Sequence, residues 1–177
     1  MESITAQALE RFFKRLGEEI STPTKFFLVG GSALCLLGSP RETLDIDYLI
    51  EGETDEVEQD LKELSTELKL DLESIPLKEF IPLPPGEEAL RRFIGKFGQV
   101  EVYIFDLYSI ALSKIARGFE SDLEDVEFML KENLISWEEL ETDYQGILPA
   151  AHNADINPIE FKIYFATLKQ RIKGSSA

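Results

Sequence analysis

Histidine, cysteine and tryptophan occur once each in this chain, and no apolar run approaches the roughly 20 residues that a membrane span needs. The lone His152, read as a loop residue, excludes multi-histidine metal sites and argues against a Ser-His-Asp hydrolase. The lone Cys35 excludes an internal disulfide; in its apolar setting it reads as a packing residue, and so does Trp137 behind Ser136. Without a membrane span, and with a polar start at Met1-Glu2-Ser3, the expectation is a cytoplasmic chain with no membrane partner. Basic residues are also scarce, 18 against 34 acidic ones, for a net charge of −16. Binding to DNA in general draws its affinity from Lys and Arg neutralising phosphates, so this balance opposes it. Local clusters at Arg11-Lys14-Arg15, Arg91-Arg92-Lys96 and Lys162-Lys169-Arg171-Lys173 remain available to guide a folded RNA end, and read equally well as solvated faces. What the chain does have is 44% apolar content over 177 residues, enough for one core with a helical appendage.

Hydrophobic periodicity orders the elements. An amphipathic helix spans 3–20, with Leu9, Phe12, Phe13 and Leu16 as its stripe. A strand over 25–29 leads into a glycine turn and a short helix, followed by a strand over 44–50 and a solvated acidic helix over 54–68. Residues 70–75 alternate as a strand, 81–86 read as an extended Pro-rich loop, and 91–105 read as a hairpin turning at Gly98-Gln99. Helices over 107–118, 121–131, 136–144 and 158–172 complete the chain, the last behind an Asn157 cap with Pro158 in first position.

Two segments carry chemistry. In Leu44-Asp45-Ile46-Asp47-Tyr48 strand alternation sends Asp45 and Asp47 to one face, roughly 6–7 Å apart. Asp is a poor strand former, and two adjacent carboxylates repel by about 2–3 kcal/mol at an effective dielectric near 20, a cost that a bound cation removes. Upstream, Gly30 and Gly31 let backbone amides approach a ligand closely, and Ser32 is placed to cap a helix that runs to Gly38, whose start suits a phosphate. Arg41 and Thr43 lie in the loop between. Further on, Lys114 and Arg117 share one helix face within reach of a triphosphate, and Asp122 and Asp125 repeat the spacing in the next helix. The same four residues also fit a salt-bridged helix pair.

Gly30-Gly31-Ser32 followed by Asp45-Ile46-Asp47, with Arg41 and Thr43 just before the acids, resembles the nucleotidyltransferase superfamily with the DNA polymerase β-like fold. The likeness extends to small bacterial nucleotidyltransferases of unassigned function and to abortive-infection toxin nucleotidyltransferases. It implies an α+β fold, a mixed-sheet core over 1–106 and a C-terminal helical segment over 107–177 packed on it as one compact unit. It also implies Mg²⁺ held by Asp45 and Asp47, a nucleoside triphosphate held by Gly30, Gly31, Ser32, Arg41, Thr43, Lys114 and Arg117, and catalytic roles for Lys114 and for Asp122 in preference to Asp125. For the third carboxylate common in such enzymes, Glu101 is the first candidate, with Asp71 and Glu73 next. The acceptor hydroxyl would belong to an RNA end, a protein or a small molecule, and an antitoxin partner is implied if the chain is a toxin. The alternative is a catalytically degenerate relative that binds nucleotide or a protein partner.

Overall fold

The computed structural model describes residues 2–52 and 54–175. Met1 and Glu53, part of the polar start and the acidic stretch noted above, lie outside them. The chain divides into two compact units: the residues up to Ile75 together with Arg91–Phe105, and Pro76–Leu90 together with the residues from Asp106 onward. The segment 76–90, assigned above to the core, therefore belongs to the second unit.

The first unit opens with α1 (Ala6–Glu19), which begins where the Thr5 side-chain oxygen accepts from the Ala8 amide at 3.0 Å, three residues later than periodicity alone suggested. Then come β1 (Thr24–Val29), α2 (Gly30–Leu36), β2 (Asp45–Glu51), α3 (Asp55–Leu68), β3 (Asp71–Ser74), β4 (Arg92–Phe97) and β5 (Val100–Ile104). The five strands form one mixed sheet in the order β3-β2-β1-β5-β4. β1 runs antiparallel to β2 and parallel to β5, while β2 and β3 are parallel across the α3 crossover. Alternation gives the sheet two unlike faces. Phe26, Leu28, Ile46, Tyr48, Val102 and Ile104 are buried on one, where Phe12 of α1 meets Phe26 edge-on at 5.7 Å and Phe26 stacks on Tyr48 at 5.1 Å. Each such buried side chain contributes about 1.5–3 kcal/mol. The other face carries Asp45, Asp47, Leu49 and Glu51 beside Phe27 and Val29. There the Arg91 guanidinium lies 4.7 and 4.8 Å from the rings of Phe27 and Phe105 and pairs with Glu51 at 3.0 Å.

The second unit is helical: α4 (Leu77–Phe80), a 3-10 turn at Glu87–Leu90, α5 (Leu107–Arg117), α6 (Glu120–Lys131), α7 (Trp137–Ile147), a 3-10 segment over Leu148–Asn153 that holds an exposed His152, and α8 (Pro158–Ser175). α5 starts at Asp106, whose carboxylate accepts from the Tyr108 and Ser109 amides and the Ser109 hydroxyl; burial pushes that carboxyl above its ordinary value. The Asn157 side chain caps α8 by accepting from Ile159 and Glu160. Trp137 stacks on Phe165 at 5.1 Å, a packing role, and Tyr144 joins the same aromatic cluster. α7 runs past Tyr144 to Ile147 because Ile147 is itself buried. Among the described residues no helix is long and apolar enough to cross a membrane.

Gly118 closes α5 at φ +72, donating to the Lys114 carbonyl at 2.9 Å, and a Cβ there would run into the Tyr164 ring of α8. Gly118→Ala therefore combines a left-handed penalty of about 1–2 kcal/mol with a steric clash. The expected result is a loss of at least about 2 kcal/mol in urea unfolding. A variant that unfolds at the wild-type midpoint contradicts this account.

Candidate active site

The site grows out of the end of β1. The Val29 register partner is Asp47, and the Asp47 partner on the far side is Glu73, so the three strands bring side chains to one face at one level. Carboxylate oxygens of Asp45, Asp47 and Glu73 lie within 4.8 Å of one another, with both aspartates half-buried and Glu73 exposed. Three like charges at that distance repel by about 3 kcal/mol or more per pair at an effective dielectric near 20. An all-oxygen, hard donor set of this kind suits a divalent cation such as Mg²⁺.

Gly30 adopts φ +66, and a Cβ on it would collide with the Asp47 carboxylate. The absence of a side chain is what lets that acid sit against the turn. At Gly31 a Cβ would stand 2.9 Å from the Thr43 hydroxyl oxygen and 3.6 Å from an Arg41 guanidinium nitrogen, so the loop preceding β2 folds back over the turn. The Thr43 hydroxyl donates to a carboxylate oxygen of Asp45 at 3.2 Å. Gly30, Gly31, Arg41, Thr43, Asp45 and Asp47 are thus gathered in one place.

Three expectations need correction. Ser32 does not cap α2: the cap position is Val29, and Ser32 lies inside the helix, fully buried, with its hydroxyl turned back to the Val29 carbonyl at 3.4 Å. The helix ends at Leu36, before Gly38. Glu101, first choice for the third carboxylate, pairs in register with Lys25 at the opposite end of β1. From Lys25 to Val29 the strand rises by roughly 13 Å, so Glu101 shares the face but not the site. Glu73, a runner-up on sequence, is the acid that arrives. Its signal was present: Asp71 and Glu73 alternate on a strand reached from β2 through one helix, the connection that places strands side by side in parallel.

Lys114, Arg117, Asp122 and Asp125 form an ion-paired cluster within the second unit. The Lys114 ammonium, 5% exposed, meets Asp125 at 2.7 Å and Asp122 at 3.7 Å, and Arg117 Nε reaches Asp122 at 3.2 Å. The helix-pair alternative describes this geometry.

Residues 7–173 match the family model described as "Nucleotidyltransferase of unknown function (DUF6036)". The chain belongs to this nucleotidyltransferase family. A crystal structure of an antigenic nucleotidyltransferase-like protein from Paracoccidioides brasiliensis is similar in fold, at 16% identity and TM-score 0.50, covering 84% of this chain and 91% of that one. JHP933 from Helicobacter pylori aligns at 16% identity and TM-score 0.39 over 98% of this chain and 97% of its own. No curated protein shows significant sequence similarity to the chain. Nucleotidyltransferase membership and the mixed five-stranded α+β architecture agree with the fold class read from Gly30-Gly31-Ser32 and Asp45-Ile46-Asp47.

Proposed function

We propose that this chain moves a nucleoside monophosphate from a nucleoside triphosphate to an acceptor hydroxyl, with Mg²⁺ held by Asp45, Asp47 and Glu73. The observation that supports this most is the convergence of those three carboxylates beside the side-chain-free turn at Gly30. In this reading the three acids hold the metal, and Thr43 fixes the orientation of Asp45 through its hydroxyl. Gly30 and Gly31 keep the approach to the triphosphate clear of side chains, and Arg41 offsets its charge from the loop. When bound, Mg²⁺ supplies neutralisation of the triphosphate and of the attacking and departing oxygens in an in-line displacement. The strongly acidic surface favours a protein or small-molecule hydroxyl over a long nucleic acid as acceptor. Lys114, Arg117 and Asp122 enter only through the family resemblance, and the reading stands on the first unit without them.

The test pairs metal binding with transfer. Mn²⁺ titration is expected to give one tight site that Glu73→Gln weakens roughly tenfold or more, while Glu101→Gln leaves it at the wild-type value. With each α-labelled nucleoside triphosphate and, in turn, total RNA, lysate protein or small alcohols as acceptor, labelled product should follow the same order. Equal loss for both variants would return Glu101 to the site. Tight Mn²⁺ binding without transfer to any acceptor would favour the degenerate relative.

A further inference from the structure

The residues before α1 reach the loop that precedes β2 and the helix α2. The Ile4 side chain is 4% exposed, and both of its backbone polar groups are committed: its amide donates to the Thr43 carbonyl at 2.8 Å, and its carbonyl accepts from the Cys35 thiol of α2 at 3.4 Å. Thr43 in turn donates to the Asp45 carboxylate and lies against Gly31. A continuous chain of contacts therefore runs from α2 through Ile4 and Thr43 to a metal-binding carboxylate.

We propose that Ile4 is a positioning residue: a backbone strap that holds the Arg41–Thr43 loop against the glycine turn and so sets the orientation of Asp45. The inference rests on the triad reading for its functional consequence. Arg41, Glu42 and Leu44 are exposed, whereas Thr43 between them is 8% exposed. Such a loop keeps a single conformation only where its backbone is tied, and the amide of Ile4 ties it at the residue whose hydroxyl orients Asp45. The buried Ile4 side chain keeps the strap seated, and the Cys35 thiol fixes it from the other side. Burial raises the Cys35 thiol above its ordinary value, which keeps it a donor and a poor nucleophile.

The experiment compares Ile4→Pro, which deletes the amide donor, with Ile4→Val, which keeps the amide and an apolar side chain, in the full chain. Two readouts are taken: amide hydrogen exchange of a peptide covering residues 41–46 without metal, and Mn²⁺ affinity. Ile4→Pro is expected to speed exchange at least tenfold and to weaken Mn²⁺ about tenfold, while Ile4→Val restores both. A folded Ile4→Pro chain with wild-type exchange in 41–46 overturns the strap. Should that variant fail to fold, Cys35→Ala carries the test, with faster exchange in the same peptide supporting the strap and unchanged exchange overturning it. If the wild-type chain takes up no Mn²⁺ yet exchange responds as stated, the strap stands as the loop's anchor and the triad reading falls.

Discussion

Asp47→Ala is expected to abolish the proposed labelled-nucleotide transfer while the protein keeps its circular dichroism spectrum and unfolding midpoint. Asp47 sits at the centre of the triad: it is the register partner of both Val29 and Glu73, and its carboxylate lies against Gly30. Removing it takes the middle carboxylate from the set and leaves Asp45 and Glu73 on flanking positions. Metal stabilisation of charge in phosphoryl transfer is worth several kcal/mol, and about 4 kcal/mol corresponds to roughly a thousandfold in rate. The expected loss is therefore at least that large, with Mn²⁺ binding lost in parallel. Stability should hold or rise slightly in the metal-free protein, because one of three mutually repelling carboxylates is gone. Comparable transfer by wild type and variant would remove the acidic triad from the chemistry.

The second large effect is on folding. Lys114 is 5% exposed between Asp122 and Asp125, themselves 3% and 2% exposed. Lys114→Met removes the buried ammonium that pairs with both buried carboxylates, while the half-exposed Arg117 still reaches Asp122. Breaking a buried ion pair from one side costs about 3–5 kcal/mol, a large share of the 5–15 kcal/mol that holds a domain together. Urea unfolding should show that loss without a change in the denaturant slope. The triple change Lys114→Met, Asp122→Asn, Asp125→Leu should recover most of it, since the buried ammonium and both buried carboxylates are then removed together. A loss below about 1 kcal/mol for the single variant would mean that the acids take up protons or water easily, and that the cluster does not hold α5 to α6.

The glycine turn and the aspartate pair were legible because each depends on rules that act within a few residues. Alternation alone puts Asp45 and Asp47 on one face, and only a residue without a Cβ tolerates φ +66 with an acid pressed against it. Asn157 caps α8 as its place before Pro158 suggested, and the periodic apolar stripe of α1 is buried as its spacing requires. The pairing of Lys114 with Asp125 was likewise visible as an alternative, since the two fall on consecutive helices at matching intervals.

What the sequence by itself determined is local: which segments alternate with period two or 3.6, and which acids share a strand face. Tertiary structure alone decided register and partition. Glu73 and Glu101 are both acids on alternating strands, and apart from the single-helix connection that leads from β2 to Glu73 their flanking residues do not distinguish them. They are separated by the parallel pairing of β3 with β2 at Asp47 and by the pairing of β5 with the far end of β1 at Lys25. The placement of 76–90 with the later helices is decided the same way. Those contacts join residues distant in the chain, and the interactions that select them are summed over a whole buried sheet rather than written in any short window.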